Sequence, residues 1–311
     1  MTPQIVTNKP DSLDQIANHE KKIAAQSSVL AAIFLTIMKL IIGLVTGSLG
    51  ILSEALHSAL DLFAAGVTYF AVYFAGKPAD DEHPYGHGKI ENISALFEMM
   101  LLLVTCIWIV YEAIQRLFFK SVIIESSIWS FIVMAIAIVI DVSRSKMLSR
   151  VARKHNSQAL EADALHFSTD IWSSTVVICG LFLVFLSDKL HIPWLVKADS
   201  IAAIGVAGIV IYISFQLGRQ AITNLIDEVS PALVIQITHA AKEVPLVIKV
   251  LEVRARHSGP KTYVDVTIAL QNGTPLEKAH QVAEQVEGAV QTAVPKSSVM
   301  VHVDPVSHNT G

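Results

Sequence analysis

Six stretches of this chain are each long and apolar enough to cross the hydrocarbon core of a bilayer, which leaves few folds open to it. A helical span needs about 20 predominantly apolar residues, and such runs occur near residues 26–46, 49–76, 91–119, 127–145, 159–187 and 199–224. Composition agrees. The 311 residues are 52% hydrophobic and only 16% charged, with a mean hydropathy of +0.53, too apolar for an ordinary soluble globule. The expected class is an α-helical polytopic membrane protein, with the lipid bilayer as its surroundings. A net charge of −4 carries no footprint for nucleic acid, which is not an expected partner. Cys106 and Cys179 both fall within apolar runs, as buried free thiols do, and not in the pattern of a disulfide framework.

The expected division is a polar N-terminal segment at 1–25, a six-helix transmembrane domain at 26–225 and a C-terminal domain at 226–311. Residues 1–25 lack the apolar core and small-residue cleavage site of a signal peptide, so the first apolar run is expected to be retained. "TGSLG", Thr46 to Gly50, is so short a connection that the first two helices must form an antiparallel hairpin. Arg144, Lys146, Arg150, Arg153 and Lys154 cluster after the fourth span, and the positive-inside rule makes that loop cytoplasmic. With six spans both termini are then cytoplasmic, as is the loop Gly76 to Lys89, while Ser187 to Lys197 faces outward with Trp194 near the interface. The expected location is the cell membrane, as a multi-pass protein, and specifically a bacterial inner membrane.

After residue 226 the pattern becomes that of a small soluble α+β unit in the order αββαβ. Ser230-Pro231 opens a helix, "VLEVRAR" and "TYVDVTIAL" alternate across "HSGPK" as a hairpin, and Pro275 to Val294 is an amphipathic helix. Ser297 to Pro305 alternates again as a strand. So small a unit closes only a thin core, which makes dimerisation an expected remedy.

An ionisable group at bilayer depth costs about 2.5–3.5 kcal/mol on the insertion scale, so each one within a span needs a compensating partner. In "SEALHSALDLF", Ser53 to Phe63, His57 and Asp61 are four apart and share one helical face. "EADALHFSTDIW", Glu161 to Trp172, repeats the device with His166 and Asp170. Face to face, the two pairs supply two nitrogen and two oxygen donors, a tetrahedral set suited to Zn²⁺ with no position left for a catalytic water. Interhelical hydrogen bonding would account for one such pair, but two with the same order and spacing favour a metal. Lys39, Glu98 and Glu112 read as structural partners facing the bundle, and Glu54 as support for His57 or as a proton acceptor. Asp80, His83 and His87 in the loop also have ligand spacing. A metallohydrolase would need an open coordination position and a general base, and no nucleophile or HExxH helix is present, so no enzyme is expected. A membrane metal sensor would leave two buried ligand pairs unexplained. A passive channel is the alternative within transport.

The paired "LHSALD" and "LHFSTD", the loop "HPYGHGKIE" (His83 to Glu91) and the ending "VMVHVDP" together resemble the cation diffusion facilitators, which exchange Zn²⁺ or similar divalent cations for protons. The resemblance runs from about Ser27 to Pro305. It implies a homodimer with metallochaperone-like cytoplasmic domains and a transport site on His57, Asp61, His166 and Asp170. It also implies a second, cytoplasm-facing site on Asp80, His83 and His87, and a regulatory metal held between protomers by His280, His302 and Asp304. Leu251 and Thr267 stand where some relatives have histidines, so a full binuclear cluster is not implied. His57 resembles the members that favour zinc over cadmium, and imidazole suits Zn²⁺ better than Mn²⁺. The expected cargo is therefore Zn²⁺, with Fe²⁺, Co²⁺, Cd²⁺ and Mn²⁺ as alternatives, and protons as the counter-transported partner because they compete for the same ligands. Lys89 and Asp227 occupy positions that the resemblance gives to a charge cluster between protomers.

Overall fold

The computed structural model describes residues 12–118, 128–190 and 195–306. They fall into two compact units. One is helical and comprises the chain to Pro78 and from Ile90 to Ala221; the other joins Ala79–Lys89 to the chain from Ile222 onward.

In the helical unit α1 (Ser12–Thr46), α2 (Leu49–Ala75), α3 (Ile90–Phe118), α4 (Ile128–His155), α5 (Gln158–Leu190) and α6 (Leu195–Leu225) follow one another. Among the described residues, α1, α2, α3 and α6 carry windows apolar enough to span, at Asp14–Thr46, Ile51–Ala75, Ile90–Gln115 and Ile204–Leu225. α4 and α5, at 28 and 33 residues, are also long enough to cross, since about 20 residues suffice. Trp194 lies outside the described residues, as does the side chain of Cys179, whereas Cys106 is a buried free thiol.

What these helices bury and expose is the reverse of a soluble bundle. Ala24, Ala25, Ala32, Ala55, Ala64 and Ala65 are buried, while Leu30, Phe34, Ile41, Leu44, Leu56, Phe63 and Trp108 are exposed. Small residues let helix backbones approach, and large apolar ones face lipid at no cost, which is how membrane helices pack. Ser48 caps α2 by accepting from the Ile51 N–H, so α1 and α2 form the tight hairpin that "TGSLG" implies. At the other end α4 stays helical through the basic cluster to His155. It stops where Asn156 turns left-handed (φ 50°) and the Ser157 N–H donates to the Ala152 carbonyl, a Schellman-type stop. The expected loop of basic residues is thus mostly helix, and one member is misplaced by the sequence reading: Arg144 is buried at 4% exposure inside the bundle.

In the second unit α7 (Pro231–Lys242), β1 (Lys249–Ser258), β2 (Lys261–Leu270), α8 (Leu276–Ala293) and β3 (Ser297–Pro305) give the αββαβ order. Ser230 caps α7 with Pro231 in its first turn. β1 and β2 pair antiparallel through a two-residue turn led by Gly259 (φ +59°), the left-handed start such a tight hairpin needs. α8 crosses over so that β3 pairs parallel to β2. Ile237, Ala241, Val264, Val266, Ile268, Val282, Val286 and Val290 form a single core between the helices and one sheet face.

Candidate metal centre

The i,i+4 spacing places His57 above Asp61 on α2 and His166 above Asp170 on α5, and packing turns the two faces toward each other. His57 Nε2 lies 3.8 Å from Asp61 Oδ1 and 3.8 Å from Asp170 Oδ1. His166 Nε2 lies 3.2 Å from Asp61 Oδ1 and 3.7 Å from Asp170 Oδ2. Donors at zinc distances of about 2.0–2.1 Å on a tetrahedron stand about 3.3 Å apart, and these four nitrogen–oxygen separations are near that value. His57, Asp61 and Asp170 each offer an atom within 4.8 Å of the others, and His166 joins through both carboxylates.

The surroundings are strongly polar on a few named atoms and apolar elsewhere. Glu98 on α3 is fully buried, accepts from the Thr68 hydroxyl at 3.1 Å and approaches His166 Nδ1 to 3.7 Å. Arg144 donates to Asp141 Oδ1 at 3.3 Å and to Ser28 Oγ at 3.1 Å, and Ser28 in turn donates to Asp163 Oδ2 at 3.2 Å. Its guanidinium also stacks 3.5 Å above the Phe167 ring, next to His166, as a planar cation can. Lys39 donates to Glu54 Oε2 at 3.2 Å and to Ser58 Oγ at 2.8 Å.

A cavity of about 240 Å³ extends from Asp61, His57 and Asp170 past Asp141 and Arg144 to Lys39, Ile51, Glu54, Met134 and Ser174. Lys39 lies toward the end of α1, Ile51 and Glu54 at the start of α2, Met134 near the start of α4 and Ser174 midway along α5, so the cavity runs toward the α1–α2 turn. On the other side of the donors the helices close on a buried apolar cluster that includes Ala24, Val72, Leu148, Ala152, Leu160 and Phe167. Lys21 and Glu91, both 1% exposed, are paired at 2.8 Å beyond it, and Ser157 also donates to Glu91.

Lys39 and Glu98 face the bundle as their sequence positions suggest, and Glu54 is the partner of Lys39. Asp141, Asp163 and the inward-facing Arg144 escape a reading of the sequence as ligands or partners. Asp163 carries a usable signal, being one turn before His166; Arg144 does not, because in sequence it is one of five basic residues.

In the second unit Asp80, His83 and His87 form a cluster with ligand atoms within 4.8 Å of one another. Asp80 Oδ1 lies 3.1 Å from His83 Nδ1, Asp80 Oδ2 3.3 Å from His87 Nε2, and the two imidazole rings are 4.4 Å apart. The His83 backbone N–H donates to Asp80 at 2.7 Å and holds its carboxyl below the usual carboxylate range, keeping it anionic. This loop rests against the β1–β2 hairpin: Tyr85 meets the Tyr263 ring edge-on at 5.1 Å, and Arg256 stacks 3.7 Å over Tyr85.

His302 Nε2 lies 3.0 Å from Asp304 Oδ1, while His280 on α8 pairs with Glu284 at 3.4 Å. Among the described residues, no three-ligand cluster within one chain unites His280, His302 and Asp304. Sheet register places Thr267 opposite His302 on one side and Glu252, after the bulge at Leu251, on the other, so that row holds a single imidazole. His257 faces Thr262, five residues from Thr267 along β2 and so outside that row, and burial pushes its pKa down. Lys89 and Asp227 meet at 2.7 Å within one protomer.

The description "Cation efflux transmembrane domain" matches residues 25–226 and "Cation efflux protein, cytoplasmic domain" matches residues 229–306. The "Cation-efflux pump FieF" of Citrobacter koseri is 30% identical over 285 residues, covering 91% of this chain and 92% of the relative. That of Cronobacter sakazakii is 30% identical over 288 residues, with the same shares covered. A solved MamM CTD chain is 30% identical over 24% of this chain and 95% of its own, with a TM-score of 0.24. Family-model matches over both regions, together with relatives of nearly equal extent, mean that this multi-pass membrane chain is a divalent cation efflux transporter, not an enzyme, and belongs to the cation diffusion facilitator family.

Proposed function

We propose that the protein exports Zn²⁺ in exchange for protons, with His57, Asp61, His166 and Asp170 as the ligands of the cargo. The observation that carries this reading is the convergence of two imidazoles and two carboxylates from α2 and α5 inside an apolar bundle, each imidazole Nε2 lying 3.2–3.8 Å from an oxygen of both aspartates. Two nitrogen donors favour Zn²⁺ and its neighbours over Mn²⁺, which prefers more oxygen. Cation binding needs neutral imidazoles and ionised carboxylates, so protons compete for the same atoms, and that competition is sufficient for exchange.

The domain division is 1–25, 26–225 and 226–311, a reading that the bounds of the two family matches support. Both termini are cytoplasmic, and the bacterial relatives support an inner-membrane location. In that orientation a cavity leading to the α1–α2 turn belongs to an outward-facing form, from which cargo leaves and protons enter. A tilt of α2 and α5 against their neighbours would expose the same donors to the cytoplasm. Asp80, His83 and His87 form a second, cytoplasm-facing site, supported by their mutual distances. The protein acts as a homodimer, which the match to a family dimerisation domain supports, and His280, His302 and Asp304 hold a regulatory cation with donors from the second protomer.

The test is cation flux into sealed vesicles containing the purified protein, run with Zn²⁺, Cd²⁺, Co²⁺, Fe²⁺ and Mn²⁺ in parallel, with and without a pH gradient. Zinc flux that accelerates with the gradient and is accompanied by opposite proton movement is the expected result. Preference for another ion would move the cargo assignment, and flux indifferent to the gradient would favour a passive path.

A further inference from the structure

Lys39 lies deep in α1, where an ammonium is costly, yet an apolar residue would serve lipid or bundle equally well. Its side chain is 8% exposed and donates to Glu54 Oε2 at 3.2 Å and to Ser58 Oγ at 2.8 Å. The pair is unbalanced, because the Glu54 side chain is 55% exposed. Glu54 lines the cavity, where entering solvent would screen its carboxylate, while the desolvated ammonium acts through a medium of lower dielectric. The two together therefore present a net positive field to the cavity that Lys39, Glu54, His57, Asp61 and Asp170 share. Along α2 the steps Glu54, Ser58 and Asp61 are successive turns of one face, so the ammonium bound to Ser58 stands roughly one turn, about 5 Å along the axis, from the Asp61 ligand.

We propose that Lys39 is a tethered cation that weakens cargo binding while the cavity is open toward the α1–α2 turn, and so promotes release. Lys39 is thus a positioning residue for charge and not a ligand. The inference rests on the reading of His57, Asp61, His166 and Asp170 as the cargo site.

The experiment measures equilibrium affinity in the full-length solubilised protein and initial flux in vesicles, using whichever of Zn²⁺, Cd²⁺, Co²⁺, Fe²⁺ and Mn²⁺ the parent carries fastest. Lys39→Met is expected to bind that ion about tenfold tighter, since a nearby charge in a poorly screened site is worth at least that much. Its KM and its maximal rate both fall, because release becomes slow. Glu54→Gln shifts affinity the other way by a smaller factor, about threefold, as suits a solvated charge. Lys39→Arg keeps the parent values, and the double variant Lys39→Met with Glu54→Gln binds less tightly than Lys39→Met alone. Unchanged or weaker binding in Lys39→Met overturns the proposal. Should that variant not fold, unchanged or tighter binding in the exposed Glu54→Gln does the same. Asp170→Ala in the same assay separates the two readings: parent-like binding there refutes the four-ligand site, whereas loss of binding there with no shift in Lys39→Met refutes only the role of Lys39.

Discussion

On the proposed reading each of the four central side chains would supply one donor, and the charge on the carboxylates would decide how tightly a divalent ion is held. Asp61→Ala or Asp170→Ala removes one donor and half of the anionic charge, and is expected to abolish zinc flux in vesicles while the protein still elutes as a folded dimer. Flux at the parent level in either variant would sink the assignment. His57 is 40% exposed at its side chain, against 6% for His166, so it is the donor with room to be exchanged. His57→Asp replaces nitrogen by oxygen and is expected to raise cadmium flux relative to zinc. A zinc-to-cadmium ratio that stays where it was would remove His57 from any part in selectivity.

At the scale of elements, one contact joins the loop Ala79–Lys89 to the β1–β2 hairpin so closely that no side chain fits. A Cβ on Gly88 would lie 2.5 Å from the Ser258 carbonyl oxygen and 2.8 Å from the Gly259 nitrogen, both backbone atoms that cannot swing aside. Gly88→Ala is therefore expected to push the loop off the hairpin, at a cost of about 1–3 kcal/mol, the usual range for forced overpacking. Amide hydrogen exchange reads this directly: residues 80–89 should lose protection while α8 keeps its own. Because His87 adjoins Gly88, the same variant should loosen cation binding at Asp80, His83 and His87. Parent-like protection in the loop would mean that the approach relaxes without strain.

At the scale of the whole molecule, the pair Lys89–Asp227 ties the residue that precedes α3 to the residues that follow α6. The sequence expectation is a charge cluster between protomers at a partly buried junction. Within the chain the two side chains already meet at 2.7 Å, and a pair that stays partly exposed is worth about 0–1 kcal/mol by itself. Lys89 does more than pair, since it also donates to the Leu225 carbonyl at the end of α6. Asp227 is left-handed (φ 63°), a conformation that asparagine tolerates. Asp227→Asn is thus expected to slow transport modestly and leave zinc affinity unchanged in a binding titration. The exchange Lys89→Asp with Asp227→Lys should recover only part of the loss, because an aspartate at position 89 cannot donate to Leu225. Full recovery would show that charge alone matters there.

Much of this protein was legible in its sequence because the relevant information is local. Apolar runs of spanning length, the Ser230-Pro231 helix start, and the two His/Asp pairs all follow from local side-chain chemistry, much of it repeated at the helical period. That His57 and Asp61 share a face needed no knowledge of the other helices. Which charges meet across helices is a different kind of fact. Arg144 in sequence belongs with Lys146, Arg150, Arg153 and Lys154, and only packing turns it inward between Asp141, Ser28 and Phe167. The same holds for Lys39 beside Glu54 and for Glu98 against His166, and for the loop cluster lying against the β1–β2 hairpin. A buried charge must be compensated, and the sequence states that requirement clearly. The identity of the compensating group depends on which helix faces pack together, and that was decided only by the tertiary structure.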